Sequence, residues 1–407
     1  MAAAVRSADL VAAAVDALFL PLALLMIGRA VVAVALARRH VRRPPPVRPW
    51  TGPVTIVVPA YNEAAGIAAC LRSLVASDWS HGLAVVVVDD GSTDATAEIV
   101  AGLRLPGVSL VRQINQGKPA ALNAGAAVAT TELVVMVDGD TLFEPGTLAE
   151  LVAPFADPRV GATSGNAKVL NRRSLLGRWQ HIEYVMGFNL DRRLLASVGA
   201  IATVPGAVGA FRVAALRDVG GVSLDTLAED TDLTIAVQRA GWRVAYQDRA
   251  RAWTEAPATV GDLWRQRYRW CYGTLQAVWK HRRAVVEPRA IGLVGLPYAL
   301  TFQVVVALLG PVVDVAALYA ALTGQARSVL VTWLGVTLVQ VALAAWAFRL
   351  DGERPGPLWA VPLQQVVYRQ LMYLVVVQSV AAAVAGTRLR WHKLRRLGLA
   401  GAPAGVT

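Results

Sequence analysis

Four long apolar runs, one at the start of the chain and three at its end, constrain the fold more than any other sequence feature. Between them, from about residue 53 to residue 288, the composition is that of an ordinary globular domain. A membrane-spanning helix needs about 20 apolar residues, and each run is long enough. The runs cover residues 10–36, 291–322, 329–348 and 358–385. The sequence therefore predicts one large domain with membrane-spanning helices on both sides of it.

Basic residues beside these runs indicate how the chain crosses the membrane. The net charge is +12, and basic clusters fall at residues 38–43, 280–283 and 388–396. Because Lys and Arg concentrate on the cytosolic side of membrane helices, we expect the N-terminus outside and the middle domain cytoplasmic, in an inner or plasma membrane. Such clusters suit a lipid bilayer with acidic headgroups. No nucleic-acid motif accompanies them, so no nucleic-acid partner is predicted.

The number of C-terminal spans is left open by the sequence. Three spans after a cytosolic domain would place the C-terminus outside, whereas the basic tail favours the inside. Pro297 interrupts the first C-terminal run and Arg369 the last, so either run is a candidate for a re-entrant segment. The predicted regions are a helix at 1–43, a proline-rich linker at 44–53, the middle domain at 54–288, a membrane region at 289–387 and a basic tail at 388–407.

Strands and helices alternate through the first half of the middle domain. Short β-branched runs at 54–58, 83–88, 108–111 and 133–137 predict strands. Segments with apolar residues at helical spacing separate them, at 63–75, 95–103 and 118–129. Such alternation is typical of a mostly parallel sheet with nucleotide-binding character, so we predict an α/β fold.

Carboxylates cluster where these predicted strands end. Asp138 and Asp140 follow the fourth strand, with Gly139 between them, and Asp89 and Asp90 follow the second. In an open α/β sheet ligands bind outside the carboxyl ends of the strands, and paired Asp oxygens suit Mg²⁺ or Mn²⁺. The alternative for the Asp138-Gly139 pair is an ordinary turn. The presence of further acids at neighbouring strand ends favours a metal site over a turn.

Two further groups face the same predicted crevice. Pro59, Ala60, Tyr61 and Glu63 follow the first strand, where a carboxylate can accept hydrogen bonds from a bound ligand. Lys118 begins a helix and supplies a point charge for a phosphate. The alternatives are an acid favoured by the helix dipole for Glu63 and a solvated surface side chain for Lys118.

Three acids precede a predicted helix of about nine residues in the second half of the domain. They are Glu229, Asp230 and Asp232. A carboxylate near other acids has its pKa raised toward the working pH, as a general base requires. We predict Asp230 as the base, with Glu229 as the second choice. An acidic helix N-terminus is the alternative, and it accounts for one of these acids.

A basic and aromatic segment at residues 263–270 contains Gln266, Arg269 and Trp270 at helical spacing. An arginine there can clamp a pyrophosphate and a tryptophan can stack under a sugar ring. An amphipathic helix lying on the membrane surface is the alternative, and both can hold for one helix.

Four motifs together resemble the processive, membrane-embedded glycosyltransferases of family 2, which include cellulose, chitin, hyaluronan and poly-N-acetylglucosamine synthases. In order they are Asp89-Asp90, Asp138-Gly139-Asp140, Glu229-Asp230 and Gln266-x-x-Arg269-Trp270. The resemblance implies a GT-A fold, a UDP-sugar donor, Mg²⁺ or Mn²⁺, and inversion at the anomeric carbon. By the same resemblance Asp90 contacts the uridine, Asp138 and Asp140 serve the diphosphate and metal, and Asp230 is the base.

The acceptor side follows from the same resemblance. Gln266, Arg269 and Trp270 are expected to hold the pyrophosphate and the acceptor, and Gly206 belongs to a stretch similar to the family's acceptor-side loop. Ala228 departs from the family, which usually has Thr before Glu-Asp. Among the relatives, the chain looks most like poly-N-acetylglucosamine synthases, which implies UDP-N-acetylglucosamine as donor, a growing polysaccharide as acceptor and accessory export or modification proteins as possible partners.

Two other functions remain open from the sequence. One is a non-processive transferase that adds one sugar to a lipid carrier, and the other is a catalytically silent sensor of nucleotide sugars. Ionisable residues inside the apolar runs bear on the prediction of a polysaccharide synthase that passes its product into the membrane, because such groups rarely face lipid. Arg29, Asp314 and Arg369 either line a path by which the polymer leaves or pair with neighbouring helices.

Overall fold

The computed structural model describes the backbone of residues 2–42 and 49–386, and the side chains from residue 21 onward within those ranges. Residues 44–48, half of the predicted proline-rich linker at 44–53, and the basic tail at 388–407 lie outside the described residues. The predictions for those two segments therefore stay predictions.

An eight-stranded sheet forms the centre of the middle domain, in the order β3-β2-β1-β4-β7-β6-β8-β5. The strands are β1 Val54–Ala60, β2 Leu83–Asp90, β3 Val108–Gln113, β4 Leu133–Met136, β5 Leu142–Phe143, β6 Val160–Val169, β7 Gly209–Arg212 and β8 Arg243–Thr254. The first half, β3-β2-β1-β4, is wholly parallel. The second half adds antiparallel pairings at β4–β7, β6–β7 and β5–β8 beside the parallel β6–β8 pair. The predicted α/β class is confirmed, with a mixed sheet.

Helices cover both faces of this sheet, which explains why every residue of β1 is buried. The helices before β5 are α1 Ala2–Val41, α2 Ile67–Val75, α3 Thr96–Leu103 and α4 Lys118–Val128. Those after it are α5 Thr147–Val152, α6 Leu175–Glu183, α7 Asp191–Val198, α8 Val213–Asp218, α9 Glu229–Arg239 and α10 Val260–Lys280. A π-helical segment, Tyr184–Leu190, joins α6 to α7. Helix α2 begins later than predicted, because Asn62 adopts a left-handed conformation (φ 54°) and starts a turn there.

Three helices are long and apolar enough to cross a membrane among the described residues: Pro21–Val41, Ile291–Leu350 and Gly356–Val384. The second has 60 residues, which at 1.5 Å per residue is about three times the thickness of a bilayer core. Its backbone leaves the helical conformation at Thr323 and Gly324, where Gly324 has φ 100°. It therefore consists of two arms, each of spanning length, and the break falls between the first two predicted C-terminal runs.

The apolar helices pack on the domain and on one another through paired charges. Arg29 of α1 donates to both oxygens of Asp191, at 2.7 and 2.8 Å, and to the Tyr298 hydroxyl at 2.8 Å. Arg369 donates to Asp314 at 2.6 Å across two apolar helices. These are the ionisable residues that the sequence assigned either to an exit path or to helix pairing, and their contacts are those of helix pairing.

A buried ionic group, here called the interdomain cluster, ties the apolar helices to the sheet. It contains three cations and three carboxylates: Lys168, Arg172, Arg193, Asp248, Asp351 and Glu353. Asp351 follows the helix Ile291–Leu350, whereas Lys168 is in β6, so the two are joined only by the fold. Lys168 also lies 3.0 Å from Glu353.

Candidate active site

The carboxyl ends of β1, β2 and β4 meet at one edge of the sheet. Ala60 of β1 pairs with Asp89 of β2, and Pro59 pairs with the residue before it. Strand β4 runs parallel on the other side of β1 and leads directly to Asp138. The parallel register thus brings together the strand-end residues that the sequence predicted, as the strand-end rule requires.

Lys118 links two of the predicted acids at this edge. Its Nζ lies 2.6 Å from Asp138 Oδ1 and 3.1 Å from Glu229 Oε1. These side chains come from the start of α4, the end of β4 and the start of α9, so three distant segments meet here. Burial lowers the pKa of Lys118, but Asp138 and Glu229 outweigh it and raise that pKa above its ordinary value, so the amine is charged. We call Lys118, Asp138, Glu229 and Asp230 the crevice cluster.

Gly206 lies against this cluster. A Cβ atom at this position would be 2.4 Å from Lys118 Nζ and 3.3 Å from Asp138 Oδ1. A hydrogen bond from the Val204 amide to Thr234 Oγ1, at 2.8 Å, ties the preceding residues to α9. Because Gly206 has no side chain, the space beside it is available to the Lys118–Asp138 ion pair.

Asp230 lies in the first turn of α9, beside Glu229. Burial raises the pKa of its carboxyl to about 6, and the neighbouring charge of Glu229 adds to the effect. The Thr231 amide donates to its Oδ1 at 2.7 Å, which stabilises the charged form in part. A carboxylate with this pKa is half-ionised at about pH 6 and mostly ionised at neutral pH, which suits a group that accepts a proton.

Asp232, the third acid of the same stretch, has a structural role. Its side chain is buried, and it lies 2.6 Å from His281 Nε2 and 2.8 Å from Lys280 Nζ. Burial would raise its pKa, but His281 and Lys280 hold that pKa below its ordinary value. Of the three acids at the start of α9, Asp232 is therefore neutralised by basic partners within the fold, whereas Glu229 and Asp230 face the crevice.

Asp90 holds the loop that leads to Lys118. Its carboxylate accepts hydrogen bonds from Gln113 Nε2 at 2.7 Å, from the Gln116 amide at 2.9 Å and from the Gly117 amide at 2.8 Å. The adjacent Asp89 is buried, accepts a hydrogen bond from the Ser92 amide at 3.2 Å and lies 3.4 Å from Arg112 Nε. Asp90 is therefore at the predicted edge, and its observed contacts position the start of α4.

Asn62 is a residue that the sequence analysis missed. It stands between Tyr61 and Glu63, both half-buried in the loop after β1. Its Oδ1 accepts from the Thr93 amide at 2.7 Å, and its own amide donates to Ser92 Oγ at 2.9 Å. The signal that points to it is the residue type, because Asn tolerates the left-handed conformation. Asn62 thus joins the loop after β1 to the loop after β2.

Asp138 and Asp140 differ in exposure. The Asp138 side chain is 30% exposed, whereas Asp140 is 2% exposed. Gly139 between them lies against Glu63, whose Cγ would be 3.1 Å from a Cβ at that position. In the described ranges no three His, Cys, Asp or Glu side chains are grouped so as to hold a metal by themselves. Carboxylate oxygens such as those of Asp138 and Asp140 are of the type that Mg²⁺ and Mn²⁺ prefer as ligands.

Helix α10 carries the remaining predicted residues. Gln266 is buried and accepts from Arg267, which donates to Glu183 at 2.6 Å. The Trp270 ring packs edge-on against Phe188, with centroids 5.9 Å apart, under the guanidinium of Arg267 at 4.3 Å. Arg269, between them in sequence, is half-buried.

Gly273 and Gln276, which the sequence analysis did not predict, pack α10 closely against the segment before Glu229. A Cβ at Gly273 would lie 2.6 Å from the Ala228 nitrogen, so only glycine permits this approach. Gln276 Oε1 accepts from the Leu227 amide at 3.0 Å. An isolated glycine within a helical pattern often has such a packing reason, which is the signal that could have found Gly273. This contact places the helix of Gln266 and Trp270 against the segment that leads into Glu229 and Asp230, and the Lys280–Asp232 pair joins the same helix to α9.

The comparisons with known proteins agree with this geometry. Residues 51–273 match the family described as "Glycosyltransferase like family 2". The poly-beta-1,6-N-acetyl-D-glucosamine synthase of Staphylococcus epidermidis is 29% identical over 255 residues, which are 61% of this chain and 60% of that protein. The enzyme of the same name from Staphylococcus aureus strain COL is 29% identical over 259 residues, 63% of this chain and 62% of the relative. The chain thus spans about 60% of the length of these relatives.

A solved structure extends the similarity to more of the chain. The mannosyltransferase PcManGT from Pyrobaculum calidifontis, in complex with GDP-Man and Mn²⁺, superposes with a TM-score of 0.65 and 25% identity. The superposition covers 87% of this chain and 99% of the other. The superposition shows that the chain has a GT-A fold. On the match over residues 51–273, more than half of its length, the chain belongs to glycosyltransferase family 2.

Proposed function

We propose that this glycosyltransferase elongates a β-linked polysaccharide from a UDP-sugar, with UDP-N-acetylglucosamine as the donor. The observation that carries the chemistry is the Asp230 carboxyl, whose pKa of about 6 places it in a basic form at neutral pH beside the Lys118–Asp138 pair. The names of the staphylococcal relatives support the donor and the polymeric product.

The proposed reaction assigns a role to each of these groups. An acceptor hydroxyl forms a bond to the anomeric carbon while the bond from that carbon to the diphosphate oxygen breaks, which inverts the configuration. Asp230 accepts the hydroxyl proton, and the nucleoside diphosphate leaves with the electron pair. Lys118 offers positive charge toward the diphosphate. Arg269 and Trp270 are proposed on the pyrophosphate and acceptor side, as the sequence predicts.

The balance of charge in the crevice supports a divalent metal. The crevice cluster holds one cation, Lys118, against three carboxylates, Asp138, Glu229 and Asp230. Excess negative charge favours binding of a cation. Asp138 and Asp140 would hold Mg²⁺ or Mn²⁺, and the ion when bound neutralises charge that develops on the departing diphosphate. The PcManGT complex contains Mn²⁺, which is consistent with this assignment.

A GDP-hexose is the second candidate donor, favoured by the extent of the match to PcManGT, which binds GDP-Man. Purified full-length protein in nanodiscs is incubated with UDP-N-acetylglucosamine, UDP-glucose or GDP-mannose, with Mg²⁺ or Mn²⁺ or with EDTA. We expect nucleotide release and a size ladder of products with UDP-N-acetylglucosamine, abolished by EDTA. A single sugar added to lipid contradicts the polymerase, preference for GDP-mannose contradicts the donor, and no release with any donor indicates a sensor.

We also propose that the middle domain is cytoplasmic and that the N-terminus is outside. Arg38, Arg39 and His40 fall in the last turn of α1, next to the domain, which is the arrangement of the positive-inside rule. A reporter that is active only outside the cytoplasm, fused before residue 1, is expected to be active. The same reporter inserted in the exposed turn at Gly220 is expected to be silent, and the reverse pattern contradicts the orientation.

A further inference from the structure

A second concave site lies away from the crevice cluster. It is a polar cavity of about 250 Å³ between the ends of α7 and α9, the start of β8 and the residues that lead into the helix Ile291–Leu350. Gln238 of α9 lines the cavity, whereas Glu229 and Asp230 begin the same helix. At 1.5 Å per residue, the nine positions from Glu229 to Gln238 separate the two sites by about 14 Å. No part of the proposed glycosyl transfer uses this cavity.

The cavity opens beside the points where two apolar helices leave the domain. Ile291 lines it and is also the first residue of the helix Ile291–Leu350. Ser197, another lining residue, donates to the Leu36 carbonyl at 3.0 Å, and Leu36 belongs to the helix Pro21–Val41. If both helices enter a bilayer, the cavity lies at the level of its headgroups.

Two arginines give the cavity an affinity for anions. Arg243 pairs with Asp157 at 2.7 Å. Among the described residues the Arg289 guanidinium makes no ion pair: the neighbouring Glu287 pairs with Arg239 at 2.5 Å, and the charge of Arg289 acts on Glu287 only from a longer distance. An exposed guanidinium that is not engaged in an ion pair is suited to bind a phosphate with two hydrogen bonds.

The turn Arg282–Val286, shortly before Arg289 in the chain, and the end of α10 expose apolar and basic side chains, which suit a lipid better than a soluble anion. Val286 is 83% exposed and Trp279 is 70% exposed, and Arg282 stacks over the Trp279 ring at 4.6 Å. The turn that holds Val286 packs against the first turn of Ile291–Leu350, where a Cβ at Gly292 would overlap the Ala284 carbonyl. Exposed apolar side chains among arginines, continuous with a spanning helix, are typical of contact with an acidic leaflet.

We propose that this cavity binds the phosphate-bearing headgroup of an acidic membrane lipid. Arg289 makes the main contact with the phosphate, and Arg243 the second. The acyl chains lie along the exposed apolar surface beside Val286 and the start of the helix Ile291–Leu350. Lipid binding here holds the rear of the catalytic domain against the membrane, independently of which sugar is transferred.

Native mass spectrometry of the full-length protein in detergent tests this proposal. Phosphatidylglycerol, phosphatidylcholine or inorganic phosphate is titrated onto wild type, Arg289→Gln, Arg243→Gln and the control Arg104→Gln, an exposed arginine after α3. We expect the wild-type protein to retain phosphatidylglycerol. R289Q is expected to bind this lipid about tenfold more weakly, as for loss of a charge-assisted contact. A smaller loss of binding is expected in R243Q, and none in R104Q.

Each other outcome overturns the proposal. Equal retention of phosphatidylcholine shows a site for any lipid, and competition by equimolar inorganic phosphate shows a site for a soluble anion. Binding by R289Q equal to wild type, or equal loss in R104Q, shows that the cavity is not the site. Because Arg289 is exposed and outside the crevice, R289Q is expected to keep the wild-type melting temperature and the activity measured without acidic lipid.

Discussion

The interdomain cluster and the crevice cluster, two of the charged groups among the described residues, differ in their balance of positive and negative charge. The interdomain cluster has three cations and three carboxylates, whereas the crevice cluster has one cation and three carboxylates. Asp351 is 2% exposed, yet Lys168 and Arg193 outweigh burial and hold its pKa below the ordinary value. Asp230 has no comparable compensation, and burial together with Glu229 raises its pKa to about 6.

The difference separates charges that stabilise the fold from charges that bind ligands. Asp351 accepts from Arg193 at 2.7 Å, from Asn166 at 3.0 Å and from Asn189 at 3.2 Å, so its oxygens are fully used by the protein. A carboxylate satisfied in this way has nothing left for a substrate. The crevice acids retain excess charge, which a metal, a proton or a substrate hydroxyl can satisfy.

The largest expected effect is on activity, in Asp230→Asn. If Asp230 is the proton acceptor, as we propose, its loss is expected to lower kcat by about 10²–10⁴-fold. The pKa of this carboxyl is raised in the folded protein, so its contribution to stability is lost as the pH rises through about 6. At pH 7.5 the melting temperature of D230N is therefore expected to equal or exceed that of wild type. Asp225→Asn, an exposed acid in the preceding loop, is the control and keeps activity. A stable D230N with wild-type turnover would contradict the assignment of the base.

Asp351→Ala tests the other cluster and is expected to act on stability. Removal of one partner leaves Lys168 and Arg193 buried without their carboxylate, which costs about 3–5 kcal/mol. Thermal unfolding in detergent measures the loss. Asp225→Ala removes a pair with a 71% exposed carboxylate and is expected to cost about 0–1 kcal/mol. If D351A instead lowers kcat of folded protein as much as D230N does, the division between the two clusters is wrong.

The raised pKa that distinguishes Asp230 from Asp351 also predicts how kcat/KM depends on pH, and this effect is expected to be smaller than those of the two substitutions. Because Asp230 must be ionised to accept a proton, activity is expected to fall about tenfold per unit below its pKa of about 6. Initial rates between pH 4.5 and 8, with structure followed by fluorescence, measure this limb. A rate that is flat down to pH 4.5 would assign the base to another group.

Gly206→Ala is expected to have the smallest effect, on activity alone. The new Cβ would lie 2.4 Å from Lys118 Nζ, and a flexible amine moves aside at low cost to the fold. Displacement from Asp138 is expected to lower kcat/KM by about tenfold, as for one misplaced charged contact. Gly102→Ala, with nothing within 4 Å of its Cβ, is the matched control and leaves kcat/KM unchanged. Equal rates in the two variants would show that the Lys118–Asp138 pair plays no part in catalysis.

Sequence reasoning found most of the first half of the domain. Strands β1 to β4 and helices α3 and α4 lie within a few residues of their predicted bounds, because short β-branched runs and helical periodicity are local signals. The second half was less visible. Strand β6 pairs with both β7 and β8, and β7 has only four residues, so no run of residues marks the antiparallel pairings.

The sequence by itself determined the apolar helices, the α/β class and the chemical types at the crevice, because these depend on composition and spacing along the chain. Tertiary structure alone decided which charges meet. Lys118 and Glu229 stand more than a hundred positions apart, as do Lys168 and Asp351, and neither pair has a local signature. It also decided that Asp230 is compensated only in part, so that its pKa stays raised, whereas Asp232 is paired with Lys280 and His281. The physical reason is that burial and charge compensation, which set the pKa of a carboxyl, depend on neighbours that only folding supplies.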